Sequence, residues 1–132
     1  MILQKPYQLT SAVFITFSGN CKAALMFYQS CFGGHLQVDT FHKVDDFLAF
    51  PVVSASLVSE RIVIHGSDLV HNEGRTLGNY ISIFLYCKNV DDRAKLIDKL
   101  ICKEQNFRIH RKSNEKLIEI TDAFDVRWTL GI

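Results

Sequence analysis

Val13-Phe14-Ile15-Thr16-Phe17-Ser18-Gly19-Asn20-Cys21 and Ser82-Ile83-Phe84-Leu85-Tyr86-Cys87-Lys88-Asn89-Val90 begin at positions 13 and 82, an offset of 69, and read alike. Each is rich in β-branched and aromatic residues, as strands are. Each then reaches an asparagine suited to capping a helix, Asn20 or Asn89. The aromatics Phe17 and Tyr86 fall in one column. Leu25, Tyr28 and Phe32 follow at spacings of three and four, which places them on one helical stripe. Ala94, Ile97 and Ile101 repeat that stripe at the same offset, and Leu96 and Leu100 widen it. Gly33-Gly34 stops the first helix, where a positive φ is commonly needed. The second helix is predicted to end between residues 103 and 106. Strand, cap and stripe agreeing at one offset indicate an internal duplication.

Strand-like runs follow each helix, at 35–42, 50–58 and 61–66 in the first half and at 107–112, 116–121 and 126–132 in the second. Pro51 suits a strand start or edge, and Ser113-Asn114 and the stretch 122–125 suit turns. The plan is βαβββ twice, an α+β fold. One domain over 1–132 is expected, with an N-terminal arm at 1–10 and modules at 11–72 and 78–132.

A composition of 48% hydrophobic and 22% charged residues is that of a globular chain, not a disordered one. No apolar run approaches the ~20 residues that cross a bilayer. The start, MILQKPYQLT, lacks the basic, apolar and small-residue blocks of a signal peptide. A cytoplasmic protein without a membrane partner is expected. The net charge of +1 gives no global field for nucleic acid, and none is expected as a partner. The basic stretch Arg108, His110, Arg111, Lys112 and Lys116 reads as alternating strand residues on a solvent face. Four cysteines, Cys21, Cys31, Cys87 and Cys102, contain no CxxC pair and read as free thiols. Cys21 alone stands at a helix N-terminus, where a thiol pKa can fall, although packing is the simpler role.

Catalytic motifs are absent: there is no GxSxG, P-loop or GxGxxG. Asp45-Asp46 falls in a loop. Asp91-Asp92 falls at a helix start, where acidic residues complement the helix dipole. The histidines His35, His42, His65, His71 and His110 form no HxH or HxxxH pair. His65 and His71 are the two placed to reach a cleft, and His65 is the first to mutate.

The opening Phe17-Ser18-Gly19-Asn20-Cys21, the helix Ala24-Leu25-Met26-Phe27-Tyr28 and the stop Cys31-Phe32-Gly33-Gly34 resemble the PhnB-type branch of the glyoxalase/bleomycin-resistance/dioxygenase (vicinal oxygen chelate) superfamily. Asp122-Ala123-Phe124-Asp125-Val126-Arg127-Trp128 is similar to that branch's closing pattern, with Asp125 where glycine is usual. The resemblance spans about residues 11–132. It implies two modules forming a partly open mixed sheet around a cleft, and a homodimer to which the arm or exposed strand edges contribute.

Metal-dependent members hold one divalent ion with side chains from four strands. Carried across, those positions fall on Val13, its pseudo-symmetric mate Ser82, Ser54 or Ser56, and Thr129. Hydroxyls and a valine are poor ligands for metals that favour imidazole, carboxylate or thiolate. The expectation is therefore no metal and no cofactor. The leading reading is a metal-free small-molecule-binding protein with the ligand in the cleft. Its expected lining is Val13, Phe17, Ser54, Ser56, His65, Ser82, Trp128 and Thr129. No residue is assigned a catalytic role. Two other classes stay open: a metal-dependent lyase, isomerase or dioxygenase with an unorthodox site, and a protein-interaction module with a collapsed cleft.

Overall fold

The computed structural model describes residues 11–40, 52–68, 76–101 and 114–132. The elements are β1 (Val13–Phe17), α1 (Cys21–Phe32), β2 (His35–Thr40), β3 (Val52–Val58), β4 (Val63–Asp68), β5 (Ile83–Tyr86), α2 (Val90–Leu100), β6 (Leu117–Thr121) and β7 (Arg127–Gly131). They belong to two compact units, Met1–Thr76 and Leu77–Ile132. In the first the strand order is β1-β4-β3-β2, with β1 parallel to β4 and the other pairs antiparallel. In the second it is β5-β7-β6, with β5 parallel to β7 and β6 antiparallel. Each unit thus sets its first strand beside its last, after a helical crossover, and the fold is α+β. The arm at 1–10 and the strand expected at 107–112 lie outside the described residues, as do His42, Asp45, Asp46, His71, Cys102 and His110. No helix among the described residues is long and apolar enough to cross a membrane.

In the first unit α1 packs on one face of the sheet and buries Cys21, Ala24, Leu25, Tyr28 and Cys31. Phe17, Ala55, Leu57 and Ile64 are buried from the sheet. Gly66 makes this contact close: a Cβ there would stand 3.1 Å from the Phe17 ring and 3.2 Å from Cys21 Sγ. The core of the second unit holds Leu85, Ala94, Ile97, Leu100, Ile118, Ile120, Trp128 and Leu130. Arg93 is buried with them, and its Nη1 donates to the carbonyls of Lys116 and Leu130 at 3.3 and 3.5 Å.

The duplication holds with one slip. Adding 69 to four of the five buried α1 positions, 24, 25, 28 and 31, gives 93, 94, 97 and 100, all buried in α2, while Cys21 falls on half-buried Val90. The same offset fails in the strands. It sends Phe17, fully buried, to Tyr86, which is 75% exposed. The buried neighbours are Leu85 and Cys87, so the strands align at 70. Three residues join strand to helix in each half, 18–20 and 87–89, but Ser18 is exposed whereas Cys87 is still buried. One residue of slip reverses every side chain of a strand. The shared Phe17–Tyr86 column is therefore corrected. By face, too, Val13 matches Ile83 and not Ser82: Val13 pairs with buried Ile64, and Ile83 pairs with buried Trp128.

The two asparagines also part ways. Asn89 Oδ1 accepts from Asp92 N at 2.8 Å, and Asp92 Oδ2 accepts from Lys88 N at 3.0 Å, a reciprocal cap. Asn20 makes no side-chain cap bond. Asp68, buried at the end of β4, replaces it: Oδ1 accepts from Gly19 N at 2.8 Å and Cys21 N at 3.0 Å, and Oδ2 accepts from Val52 N at 2.9 Å. A carboxylate brought by tertiary structure does the work of a local cap.

Smaller differences have local causes. β4 starts at Val63 and not at 61, because Ser59 Oγ donates to Ile62 O and accepts from Ile62 N, closing a turn over 59–62. α2 ends at Leu100, short of 103–106, and Ile101 is extended at φ −123° and ψ 154°. Ile101 is nevertheless buried, so its apolar spacing mimicked another helical turn. The Gly33-Gly34 stop is as expected, with Gly34 at φ 99°; a Cβ there would meet the Val58 carbonyl at 2.3 Å.

Candidate functional site

Strand alternation sorts the eight candidate residues between faces. Val13, Ile15 and Phe17 alternate onto the face of the first sheet that α1 covers, together with Ala55, Leu57, Ile64 and Gly66. Phe14, His65, Ser54 and Ser56 lie on the opposite face, left open by α1, with Ser56 and the His65 Nε2 atom buried there. In the second unit Trp128 is in the core, where Nε1 donates to Asp122 Oδ2 at 2.8 Å. Ser82 and Thr129 lie on its open face. Val13, Phe17 and Trp128 are thus core-side residues, whereas Ser54, Ser56 and His65 stand together, as do Ser82 and Thr129.

The open face of the first sheet is ordered by its ladder. Phe14 pairs with His65, His65 with Ser56, and Ser56 with Gln37; one position along, Ser54 pairs with Asp39. Ser56 Oγ and His65 Nδ1 share a hydrogen bond of 2.8 Å. His65 Nε2 is buried and has no hydrogen-bond partner among the described residues. Beside this pair is a depression of about 300 Å³ lined by Gln37, Val38, Asp39, Ser54, Ala55 and Ser56. That volume is at the low end of the roughly 300–1,000 Å³ of small-molecule sites.

Gln37 and Asp39 are additions to the sequence-derived set. The alternation of HLQVDT in β2 held the signal, but only the β2–β3 register shows which partners they face. A register irregularity between Asp39 and Thr40 ends the regular ladder beside the depression.

On the second unit's open face Ser82 Oγ and Thr129 Oγ1 share a 2.6 Å hydrogen bond. Thr129 pairs with Phe84 on one side and Glu119 on the other, and Glu119 is held by an ion pair with Arg127. The Phe84 ring lies over Gly131, where a Cβ would come within 2.9 Å of it. Its centroid is 6.3 Å from that of Tyr86.

The superfamily's metal does not fit this donor set. Val13 offers only hydrocarbon and lies on the core side, and Ser54, Ser56, Ser82 and Thr129 offer neutral hydroxyls. Hydroxyls leave a dication's charge unbalanced. The described histidines and acids form no group of three able to hold a metal ion. The nucleophilic thiolate form of Cys21 is disfavoured. Burial, reinforced by the Asp68 carboxylate, pushes its thiol up to about 12. Position at a helix start, which lowers a thiol pKa elsewhere, is overridden.

Comparison with known proteins gives matches of structure alone. No family model matches the chain. No curated protein matches its sequence. Protein PA1353 from Pseudomonas aeruginosa superposes with a TM-score of 0.65 at 20% identity, over 94% of this chain and 97% of that one. The PhnB protein from Bacillus cereus, provisionally described as a 3-demethylubiquinone-9 3-methyltransferase, gives 0.65 at 15% identity over 93% and 98%. A gene product of Arabidopsis thaliana gives 0.57 at 18% identity over 96% and 100%. The chain shares the fold of these structures, the PhnB protein among them, as its opening and closing motifs imply.

Proposed function

We propose that this chain is a small-molecule-binding protein of glyoxalase-like fold that takes a polar ligand on the open face of its first sheet, without a metal ion. The observation that carries this reading is the polar lining of the depression around Ser56, whose hydroxyl is held by His65. Gln37, Asp39, Ser54 and Ser56 offer amide, carboxylate and hydroxyl groups at neighbouring ladder positions. A few placed polar groups of this kind orient a ligand.

His65 serves as a positioning residue. With its proton on Nδ1 it donates to Ser56 and frees the Ser56 O–H for a ligand acceptor. In the other tautomer Ser56 donates to the ring and offers lone pairs instead. Either state fixes the hydroxyl before a ligand arrives, which lowers the ordering cost of binding.

A thermal-shift screen of polar metabolite-sized compounds tests the reading. At least one compound is expected to raise Tm in chelator-treated protein, and His65→Ala and Ser56→Ala are expected to weaken its binding about tenfold, the scale of one hydrogen bond. A screen in which nothing stabilises the fold, or in which stabilisation requires added metal, overturns it.

A further inference from the structure

We infer that the ligand of this depression is a small hydroxylated amine, bound as its ammonium form. This rests on the binding-site reading above and adds the ligand's chemical class. Among the described residues lining the depression, Asp39 alone carries a formal charge, and it is negative. An anionic ligand would therefore stand against the Asp39 carboxylate, whereas an ammonium group gains a charge-assisted hydrogen bond there.

Geometry sets the rest of the ligand. The pairs Gln37–Ser56 and Asp39–Ser54 form a two-by-two array on adjacent antiparallel strands. Facing residues in such a ladder are about 5 Å apart, and like-facing residues along a strand are about 7 Å apart. A compact polyol of one ring spans that array. Three of its corners are neutral: two hydroxyls and an amide, each able both to donate and to accept, as sugar hydroxyls require. The fourth is the carboxylate. A cation at one end and hydroxyls across the remainder complement all four. Ser56, held by His65 at 2.8 Å, supplies the most fixed of these corners, and exposed Asp39 makes the charge contribution sensitive to salt.

Glucosamine, N-acetylglucosamine and glucuronate, compared at a pH where the free amine is protonated, test the inference as cationic, neutral and anionic probes of similar shape. NMR titration of the full chain is expected to show glucosamine saturating shifts of the Gln37, Asp39, Ser54 and Ser56 amides at a concentration at least fivefold lower than either other probe. Asp39→Asn is expected to erase that preference, and high salt to reduce it. Ser56→Ala is expected to weaken all probes alike, with amide dispersion reporting that each variant is folded. Equal or tighter binding of the neutral or anionic probe overturns the charge assignment and leaves the binding site standing. Survival of the preference in Asp39→Asn also overturns it. If no probe shifts these amides, the inference fails. The broader binding reading falls with it only if the unrestricted thermal-shift screen is also empty.

Discussion

Asp125 has φ 67°, a left-handed backbone held by a residue with a side chain, at the position where the resembled motif has glycine. It sits in a turn built by Asp122, whose Oδ1 accepts from Phe124 N at 2.8 Å and Val126 N at 3.2 Å. Aspartate tolerates this conformation better than most residues, and glycine adopts it without steric cost. Asp125→Gly is therefore expected to leave stability unchanged or raise it by up to about 1 kcal/mol, and Asp125→Val to lower it by about 1–2 kcal/mol. Urea denaturation of both variants checks this.

Cys21 gives a second test at the same scale. Its thiol titrates near 12 in the fold against 9.0 ordinarily, so its protonated form contributes stability that is whole below pH 9 and is lost as pH rises through 9 to 12. The stability–pH slope in that window is expected to flatten by about one proton in Cys21→Ala. Native Cys21 is expected to resist alkylation at pH 8 that it undergoes in denaturant, as read by mass spectrometry. Both properties were hidden in the sequence, where Cys21 shows only its place at a helix start. Its burial under Gly66 and its neighbour Asp68 come from residues more than forty positions away.

The elements were legible where local pattern settles them. Helix stripes at one offset located α1 and α2, and glycine stopped α1 as its backbone requires. Strand parity was not legible. The last buried residue ahead of each helix stands four positions before α1 (Phe17 to Cys21) but three before α2 (Cys87 to Val90), a one-residue difference that a two-residue strand period cannot absorb. That slip turned Phe17 and Tyr86 in opposite directions. It also puts Val13 and Ser82, which share a column at an offset of 69, on different kinds of face. Capping shows the same limit: Asn20 and Asn89 read identically, yet Asn89 alone caps its helix. Asn89→Ala is expected to cost about 1 kcal/mol and Asn20→Ala less than about 0.5 kcal/mol. Asp68→Ala, which strips a carboxylate from Gly19, Cys21 and Val52 amides, is expected to cost about 2–4 kcal/mol. Chemical denaturation ranks the three, and equal losses for the two asparagines would contradict the structure.

At the scale of the whole chain, duplication was the most readable property, because it needs only like residues at like spacing. The candidate site was half readable. Ser54, Ser56 and His65 share the open face of one sheet, and Ser82 and Thr129 share that of the other, whereas Val13, Phe17 and Trp128 serve the cores. Gln37 and Asp39 needed the strand register before they could be counted. A homodimer, expected from the resemblance, is checked by light scattering at micromolar concentration, where twice the 15.1 kDa chain mass is the expected result. Asp68 has one further consequence, in time and not in energy. Its three bonds tie the entry to α1 and the first residue of β3 to the last residue of β4, so none of the three amides can be released without the carboxylate letting go. In deuterated solvent, the amides of Cys21 and Val52 should exchange through one shared opening and slow together, although thirty-one positions separate them along the chain (52 − 21 = 31). Measured exchange would then show the start of a helix and the start of a strand behaving as one kinetic unit.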